Sequence, residues 1–261
     1  MINGILAIII LDVKRFWLDR TRIIAGLIQP LLYLFVLGAG IGGSSTMAGS
    51  YRPYIFPGTM GLSLLFAASF GAITIVFDRQ IGFFKAVLVA PVPRPAIALG
   101  KILSGGLQAF AQGFVLLPFA PLAGIPVSVS SIVLMLLSMA LASAAFSGLG
   151  VAVASRFNSA TVFPIVSNTI LLPLYFLSGA LYPLAKAPQW MQILAHADPV
   201  AYAVDLMRGS LLGVFFFPPW LSVLALLGFI SLFAGLAIQV FNRGEDTQPQ
   251  LGAAQFGRFR R

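Results

Sequence analysis

The 261-residue chain contains no cysteine, one histidine and few charged residues, which make up 9% of the sequence. The absence of cysteine excludes disulfides, thiol catalysis and cysteine metal sites, and the single imidazole of His196 is too little for a metal centre. Hydrophobic residues make up 59% of the chain, far more than a soluble domain of this length needs to bury a core. Lipid must therefore be the solvent for most of the chain.

A phosphate-binding loop of the kind that hydrolyses ATP is also absent. The sequence comes nearest to this motif at Gly100-Lys101, but Pro95 stands where the first glycine is needed and Ile102 follows the lysine in place of Ser or Thr. The chain therefore lacks a nucleotide site of this type. No cofactor is expected in this polypeptide.

Long apolar segments dominate what is present. A helix that crosses a hydrocarbon layer of ~30 Å at ~1.5 Å per residue needs about 20 apolar residues, and the alternation typical of a barrel strand is missing. The segments that meet this requirement are 23–41, 54–77, 96–120, 131–155, 161–181 and 220–241. The sequence predicts an all-α integral membrane protein with six transmembrane helices and both termini on one side.

The basic residues are distributed unevenly between the two sides of this arrangement. With the N-terminus inside, the inner segments hold 13 Lys and Arg residues and the outer ones hold three, Arg52, Lys186 and Arg208. Positive charge in short loops marks the cytoplasmic side, so we expect a multi-pass protein of the cytoplasmic (inner) membrane with both termini in the cytoplasm. The membrane domain spans 23–241, and the polar tail 242–261 follows it. Because the basic residues flank spans, no nucleic-acid partner is expected.

Residues 1–22 are predicted to form an amphipathic helix on the inner membrane surface. At about 100° per residue, Asp12, Arg15, Asp19 and Arg22 fall on one stripe. We expect this stripe to face water while the opposite side contacts lipid. Two roles are open, a simple anchor or a contact with a cytoplasmic partner.

A second amphipathic helix is predicted in the inner connection at 78–94, between the second and third spans. Ile81, Phe84 and Leu88 recur at helical spacing, and a proline cluster that begins at Pro91 ends the helix. This segment is either an interfacial helix or a docking element for a soluble subunit.

The last outer connection, at 183–218, is too apolar for a solvated loop. Two stretches in it suit short helices, separated by the helix-breaking pair Asp198-Pro199. Apolar helices too short to cross the membrane predict re-entrant elements on the outer side. Within the second helix, Asp205 and Arg208 are three residues apart and are expected to neutralise each other.

None of the predicted spans carries an ionisable residue near its middle. Ion-coupled carriers normally use intramembrane carboxylates, His or Arg as relays, and the chain lacks the internal repeat common in sodium-driven carriers. The energy source is therefore expected outside this polypeptide.

Three segments resemble motifs of one known family, the membrane-spanning permeases of ABC-2 type exporters, which include drug-resistance, nodulation-factor and polysaccharide permeases. The first is FDRQIGFFKAVLVAPVPRPAIALGK at 77–101, with an acid-Arg pair and a glycine before Leu-x-x-Pro-x-x-Arg and Gly-Lys. The others are FLSGALYP at 176–183 and DPVAYAVDLMRGSLLG at 198–213. In this chain Asp78 stands where the family more often has Glu.

The resemblance implies the type V exporter fold, with an N-terminal interfacial helix, six spans, a coupling helix after span two and re-entrant helices before span six. It also implies a homodimer of permeases, each resting on a separate ABC ATPase subunit that would bind ATP and Mg. The residues expected to contact that ATPase are Asp78, Arg79, Gly82, Phe83, Phe84, Lys85, Pro91 and Arg94.

The resemblance further implies an outer gate formed by Ser178, Gly179, Tyr182 and Pro183. Tyr175 joins this group because Tyr175, Ser178 and Tyr182 are spaced at i, i+3 and i+7 and would share one face of span five. The outer re-entrant motif comprises Asp198, Pro199, Tyr202, Asp205 and Arg208.

The favoured function is a non-catalytic subunit of an ATP-driven exporter that moves an amphipathic, lipid-linked, glycan or drug-like molecule by alternating access. The alternative is an ion-coupled carrier or flippase without an ATPase partner. An intramembrane enzyme is disfavoured, since the spans lack a convergent catalytic pair. A permease-like assembly factor that does not transport also stays open.

Overall fold

The computed structural model describes residues 2–40, 51–80, 93–126 and 128–243. This part of the chain is helical and has no β-strand, which confirms the predicted all-α class. The principal helices are α1 (Ile2–Leu18), α2 (Arg20–Leu32), α3 (Tyr51–Gln80), α4 (Arg94–Leu116), α5 (Val129–Ala154), α6 (Val162–Leu177), α7 (Gln189–Ala195), α8 (Pro199–Leu212) and α9 (Pro219–Arg243).

Several helical segments are long and apolar enough to cross a membrane. Among the described residues these segments are Arg20–Gly40, Tyr51–Gln80, Pro95–Phe119, Val129–Ala154 and Pro219–Asn242. They correspond to predicted spans one, two, three, four and six. The segment predicted as span five contains α6, which has 16 residues and includes Pro173. The described part of the chain therefore contains five candidate spans and one shorter apolar helix.

Helix α3 lies at the centre of the bundle and packs against α2, α4, α5, α6 and α8. Most of its side chains are buried, whereas α2 and α9 bury few of theirs and expose apolar residues such as Ile28, Trp220 and Leu224. Apolar side chains on the outer surface suit lipid. The fold thus has a packed centre surrounded by helices that are apolar on both sides.

The N-terminal segment is divided into two helices, where one helix over 1–22 was predicted. Asp19 caps α2 by accepting a hydrogen bond from the Arg22 backbone N–H at 3.1 Å. The expected orientation of the charged stripe is wrong for Asp12, which is only 3% exposed and faces α4, whereas Arg15 and Asp19 are exposed. Asp12 points inward because Lys101 and Ser104 of α4 donate hydrogen bonds to it.

The outer connection contains the two short helices that its sequence predicts, α7 and α8. Asp198 separates them and caps α8 by accepting a hydrogen bond from the Val200 N–H at 2.8 Å. Helix α8 is buried along most of its length against α3, α5 and α9. It ends at Gly213, whose φ of +69° lies in the left-handed region that glycine tolerates best.

Candidate functional site

Ionised side chains meet at the end of the bundle that the sequence predicts to be cytoplasmic, here named the inner end, and we call Asp12, Arg15, Asp78 and Lys101 the inner cluster. The Lys101 Nζ lies 3.1 Å from an oxygen of Asp12 and 3.1 Å from an oxygen of Asp78. Arg15 Nη1 approaches Asp78 at 3.5 Å, and the Ser104 hydroxyl donates to Asp12 at 3.0 Å. The cluster joins α1, α3 and α4 close to the predicted coupling segment.

The charged groups of the inner cluster are buried, so the stability of the fold depends on their pairing. Asp12, Asp78 and Lys101 are each at most 9% exposed, and a buried charge that loses its partner is strongly destabilising. The lysine has two carboxylates as partners, and Arg15 supplies a second positive charge from α1. A displacement of the inner end of α3 would therefore disturb α1 and α4 together.

The residues expected to contact an ATPase are only partly described. Asp78 belongs to the inner cluster, and Arg79 donates to the Ser155 carbonyl at 2.6 Å and lies over the Phe241 ring, 5.7 Å from its centroid. Arg94 is the first residue of α4. Gly82, Phe83, Phe84, Lys85 and Pro91 lie outside the described residues.

In the predicted outer re-entrant motif, the charged side chains bind backbone groups, unlike those of the inner cluster. Arg208 Nη2 donates to the Gly179 carbonyl at 2.9 Å, and its guanidinium lies 4.0 Å from the Tyr54 ring centroid. Asp205 accepts hydrogen bonds from the Phe216 and Phe217 N–H groups at 2.8 and 3.0 Å. Asp205 and Arg208 form no direct ion pair among the described residues, but the charge of each favours the charged form of the other, in agreement with the predicted neutralisation. The two side chains bind different backbone segments that meet at α8.

The remaining residues of the motif stabilise the turn between α7 and α8. One oxygen of Asp198 caps α8, while Oδ2 is buried and has no hydrogen-bond partner among the described residues. Burial therefore raises the pKa of Asp198 to about 8. Pro199 is the first residue of α8, and the Tyr202 hydroxyl donates to the His196 carbonyl at 2.9 Å.

The predicted common face of span five is wrong. Helix α6 ends at Leu177 and Gly179 has a φ of +72°, so the chain has turned before Tyr182, whose hydroxyl donates to the Phe176 carbonyl at 2.8 Å. Ser178 caps the helix and is buried, with its hydroxyl bonded to the Tyr175 carbonyl. Pro183 then leads into the short helical turn Leu184–Lys186.

Tyr175 is fully buried, and its hydroxyl has no hydrogen-bond partner among the described residues. It lies at the outer end of a buried stripe on α6 that also contains Phe163, Ser167 and Leu171. Unpaired buried hydroxyls are uncommon in proteins, since each loses its hydrogen bonds to water. Tyr175 thus remains a candidate for contact with a passing polar group.

Two adjoining cavities lie between α2, α3 and α6. One has a volume of about 380 Å³ between α2 and α3, and the other of about 320 Å³ extends to Ser167 and Asn168 of α6. Gln29, Phe66 and Phe70 line both. The sequence motifs do not predict these cavities, although isolated polar residues such as Gln29 and Asn168 within apolar segments are a signal for them.

The Arg22 guanidinium lies deeper in the bundle than the sequence predicts. Its Nη2 donates to the Gln108 side chain at 3.1 Å and approaches the Ala67 carbonyl, near the middle of α3, at 3.5 Å. Helix α2 begins at Arg20 and packs against α3 and α4, so its first turn brings the guanidinium to Ala67 and Gln108. Arg22 is the third residue of α2 and lies at the end of its own candidate span, while its guanidinium reaches a neighbouring helix between the ends of that helix.

Charged residues enclosed by several long apolar helices define a polytopic helical membrane protein. Among the described residues, no group of acidic, His or Cys side chains could hold a metal ion. The family of ABC-2 type transporters matches residues 3–212. The chain belongs to this family and is a transport permease, as its three motifs predict.

Two relatives illustrate the similarity of the chain to known proteins. Over 199 residues the chain is 31% identical to "Nodulation protein J" of Rhizobium leguminosarum bv. trifolii, covering 72% of each chain. Over 206 residues it is 26% identical to "Putative transport permease ycf38" of Cyanophora paradoxa, covering 75% of this chain and 71% of that protein.

Proposed function

We propose that the chain is the membrane subunit of an ATP-driven exporter, powered by a separate ABC ATPase that binds ATP and Mg. The observation that carries this proposal is the inner cluster, which ties α1 to the two helices on either side of the predicted coupling segment. Because the chain has no phosphate-binding loop, this proposal places ATP hydrolysis on a separate partner. Motion of the coupling segment would be transmitted through the inner cluster to α1, α3 and α4, because its side-chain pairs connect these helices.

The proposed topology has six spans with both termini in the cytoplasm of a bacterial-type inner membrane. At ~1.5 Å per residue, the 16 residues of α6 extend about 24 Å, and the turn after Leu177 adds the remaining depth. Helices α7 and α8 would then be re-entrant elements in the outer leaflet. The excess of Lys and Arg on the inner side supports this orientation.

We further propose that two copies of the permease enclose the path, with α2, α3 and α6 of each copy facing it. The adjoining cavities and the unpaired hydroxyl of Tyr175 support this assignment. Ser178, Gly179, Tyr182 and Pro183 form the turn at the outer end of α6 and would act as the outer gate. In alternating access this turn would move as a rigid unit away from its counterpart in the second copy when the ATPase closes on ATP.

We assign the coupling between ATP hydrolysis and transport to the inner end of α3 and the segment that follows it. Arg79 is held against the inner ends of α5 and α9 by Ser155 and Phe241, so its role would be to transmit motion. The proposed docking surface comprises Gly82, Phe83, Phe84, Lys85, Pro91 and Arg94. Asp78 would respond to docking through Lys101.

Co-purification tests the proposal. The tagged permease, expressed with the candidate ATPase from its own genome, should yield a complex that hydrolyses ATP when reconstituted in lipid. Lys101→Met should leave the ATPase bound but uncouple hydrolysis from conformational change in the permease. The exposed Lys14→Met is the matched control and should behave as the unmodified complex. Failure of every ABC ATPase of that genome to bind would reject the proposal.

An ion-coupled carrier is the second candidate, and the depth of Arg22 is the observation that favours it. Intramembrane charges are the usual relays of such carriers. The two functions are distinguished by the energy source. Transport that stops with a protonophore but continues without ATP would favour the carrier, and the reverse result would favour the exporter.

A further inference from the structure

A positively charged side chain lines the larger of the two cavities, the one between α2 and α3. Arg22 lines its wall together with Gly26, Gln29, Ser63 and Phe66. The Arg22 Nη2 is engaged with Gln108 and Ala67, and the guanidinium lies over the Phe16 ring, but among the described residues Nη1 and Nε make no hydrogen bond. A guanidinium has five N–H donors in a planar fork. Part of that donor capacity therefore remains for a ligand.

A second polar group in the same wall also lacks a partner. Ser63 is 2% exposed and lines the cavity, and its Oγ has no hydrogen bond among the described residues. Ser63 and Ala67 are four residues apart on α3, so the hydroxyl lies one helical turn from the backbone carbonyl that Arg22 approaches. The hydroxyl and the guanidinium can thus serve one ligand.

The acidic residues nearest to Arg22 have other partners. Asp12 is bound by Lys101 and Ser104 in the inner cluster. Asp19 is exposed and caps α2 through the Arg22 backbone N–H. The rest of the cavity wall is apolar or uncharged, with Leu62 and Phe70 among its residues. A ligand that complements this wall would therefore carry a negative charge and an apolar group.

We propose that this cavity binds an amphiphile with an acidic headgroup. The phosphate or carboxylate would lie against Arg22 and Ser63, and the apolar part against Phe66 and Phe70. The volume of about 380 Å³ is in the usual range for small-molecule sites. This inference rests on the proposed function, because it names the class of substrate that such a permease would accept from the inner leaflet.

Native mass spectrometry of the full chain in a neutral maltoside detergent tests the proposal. Dioleoylphosphatidic acid is the probe, and dioleoylglycerol is its uncharged counterpart. We expect phosphatidic acid to bind and dioleoylglycerol to bind at least about tenfold more weakly, since a charge-assisted hydrogen bond contributes that much. Equal binding of the two probes would overturn the proposal. Inorganic phosphate should not compete at equal concentration, and competition would assign the site to the free anion.

Matched substitutions in the first turn of α2 locate the site. Arg22→Gln should weaken phosphatidic acid binding at least about tenfold, and Arg22→Lys should weaken it less. Arg20→Gln, at the exposed neighbouring arginine, should leave it unchanged. An equal loss in Arg20→Gln and Arg22→Gln would mean that general surface charge binds the probe, and would contradict the proposal.

A protection measurement keeps the proposal falsifiable if Arg22→Gln does not fold. The chain has no cysteine, so Gln29→Cys introduces a single thiol in the cavity wall. Phosphatidic acid should slow its alkylation by a maleimide, whereas dioleoylglycerol should not. Ile24→Cys, at an exposed position on α2, is the control and should be unaffected. Absence of protection at Gln29→Cys would overturn the proposal.

The proposed exporter function and the proposed binding site can be rejected independently of each other. A chain that binds phosphatidic acid through Arg22 but recruits no ATPase would keep this inference and reject the proposed exporter. A chain that couples to an ATPase but does not distinguish phosphatidic acid from dioleoylglycerol would reject this inference alone.

Discussion

The two ends of the bundle both bury charged side chains, but they stabilise them in opposite ways. At the inner end, Lys101 joins Asp12 and Asp78 through side-chain pairs across three helices. At the outer end, Arg208 and Asp205 bind backbone groups of adjoining turns. Side-chain pairs can be exchanged when helices move, whereas backbone contacts fix a turn in one conformation. The inner end is thus suited to receive motion, and the outer end to keep its shape while the gate opens.

The largest effect is expected from removing the lysine of the inner cluster. Lys101→Met leaves two buried carboxylates without their shared cation, which should reduce stability by about 3 kcal/mol or more. The melting midpoint in detergent measures this loss. Lys14→Met should show no comparable loss. Addition of Asp12→Asn to Lys101→Met should restore part of the stability, and a double variant as unstable as the single one would contradict the pairing.

A large effect is also expected at the outer end, where backbone groups approach closely. A methyl group on Gly58 would collide with the Ala180 carbonyl oxygen, so Gly58→Ala should cost about 2 kcal/mol through overpacking. Gly228→Ala in α9, where no atom lies within 4 Å, is the control and should melt at or above the midpoint of the unmodified protein. A neutral result at Gly58 would mean that the outer turn is not rigid.

A pH-dependent effect is expected from Asp198, whose buried carboxyl has a pKa of about 8 in the fold against about 4 when unfolded. The folded chain therefore binds a proton more readily, so stability falls as pH rises from about 4 to 8. Asp198→Asn keeps the cap without the charge. Its midpoint should exceed that of the unmodified protein by at least about 4 °C at pH 8.5, with a smaller difference at pH 5.

A variant without the cap separates charge from geometry. Asp198→Ala removes the hydrogen bond to Val200 as well as the charge and should lie below Asp198→Asn at both pH values. If the difference between Asp198→Asn and the unmodified protein were the same at pH 5 and 8.5, burial of an ionising carboxyl would be the wrong explanation.

The smallest effect is expected at the rim of the inner cluster. The Arg15 side chain is 44% exposed and lies 3.5 Å from Asp78, and an exposed ion pair contributes under about 1 kcal/mol. Arg15→Gln should therefore lower the melting midpoint far less than Lys101→Met. Equal effects of the two substitutions would show that the cluster has no buried centre and would remove the contrast between its residues.

The long helices were predictable because hydrophobic length and caps are local properties. The predicted segments 131–155 and 220–241 differ by one or two residues from α5 and α9. The inward turn of Asp12 was not predictable, since its partner Lys101 lies 89 positions further along the chain. A helical stripe shows which residues share a face but not what that face contacts.

The site was predictable in its motifs and not in its geometry. The outer motif was recognised, but the positive φ of Gly179 ends the periodicity that linked Tyr175 to Tyr182. The depth of Arg22 depends on how α2 packs beside α3 and α4, which no pattern within α2 specifies. The family match supports transport, while substrate class depends on the cavity wall.

The most direct test of the account is whether ATP on a partner moves this chain through the inner cluster. Spin labels at Trp190→Cys, an exposed position on α7, report the distance between two permease copies in the complex with the ATPase. The account predicts that trapping ATP changes this distance, and that Lys101→Met abolishes the change while the ATPase remains bound. An unchanged distance in the unmodified complex, or the same change in Lys101→Met, would contradict it.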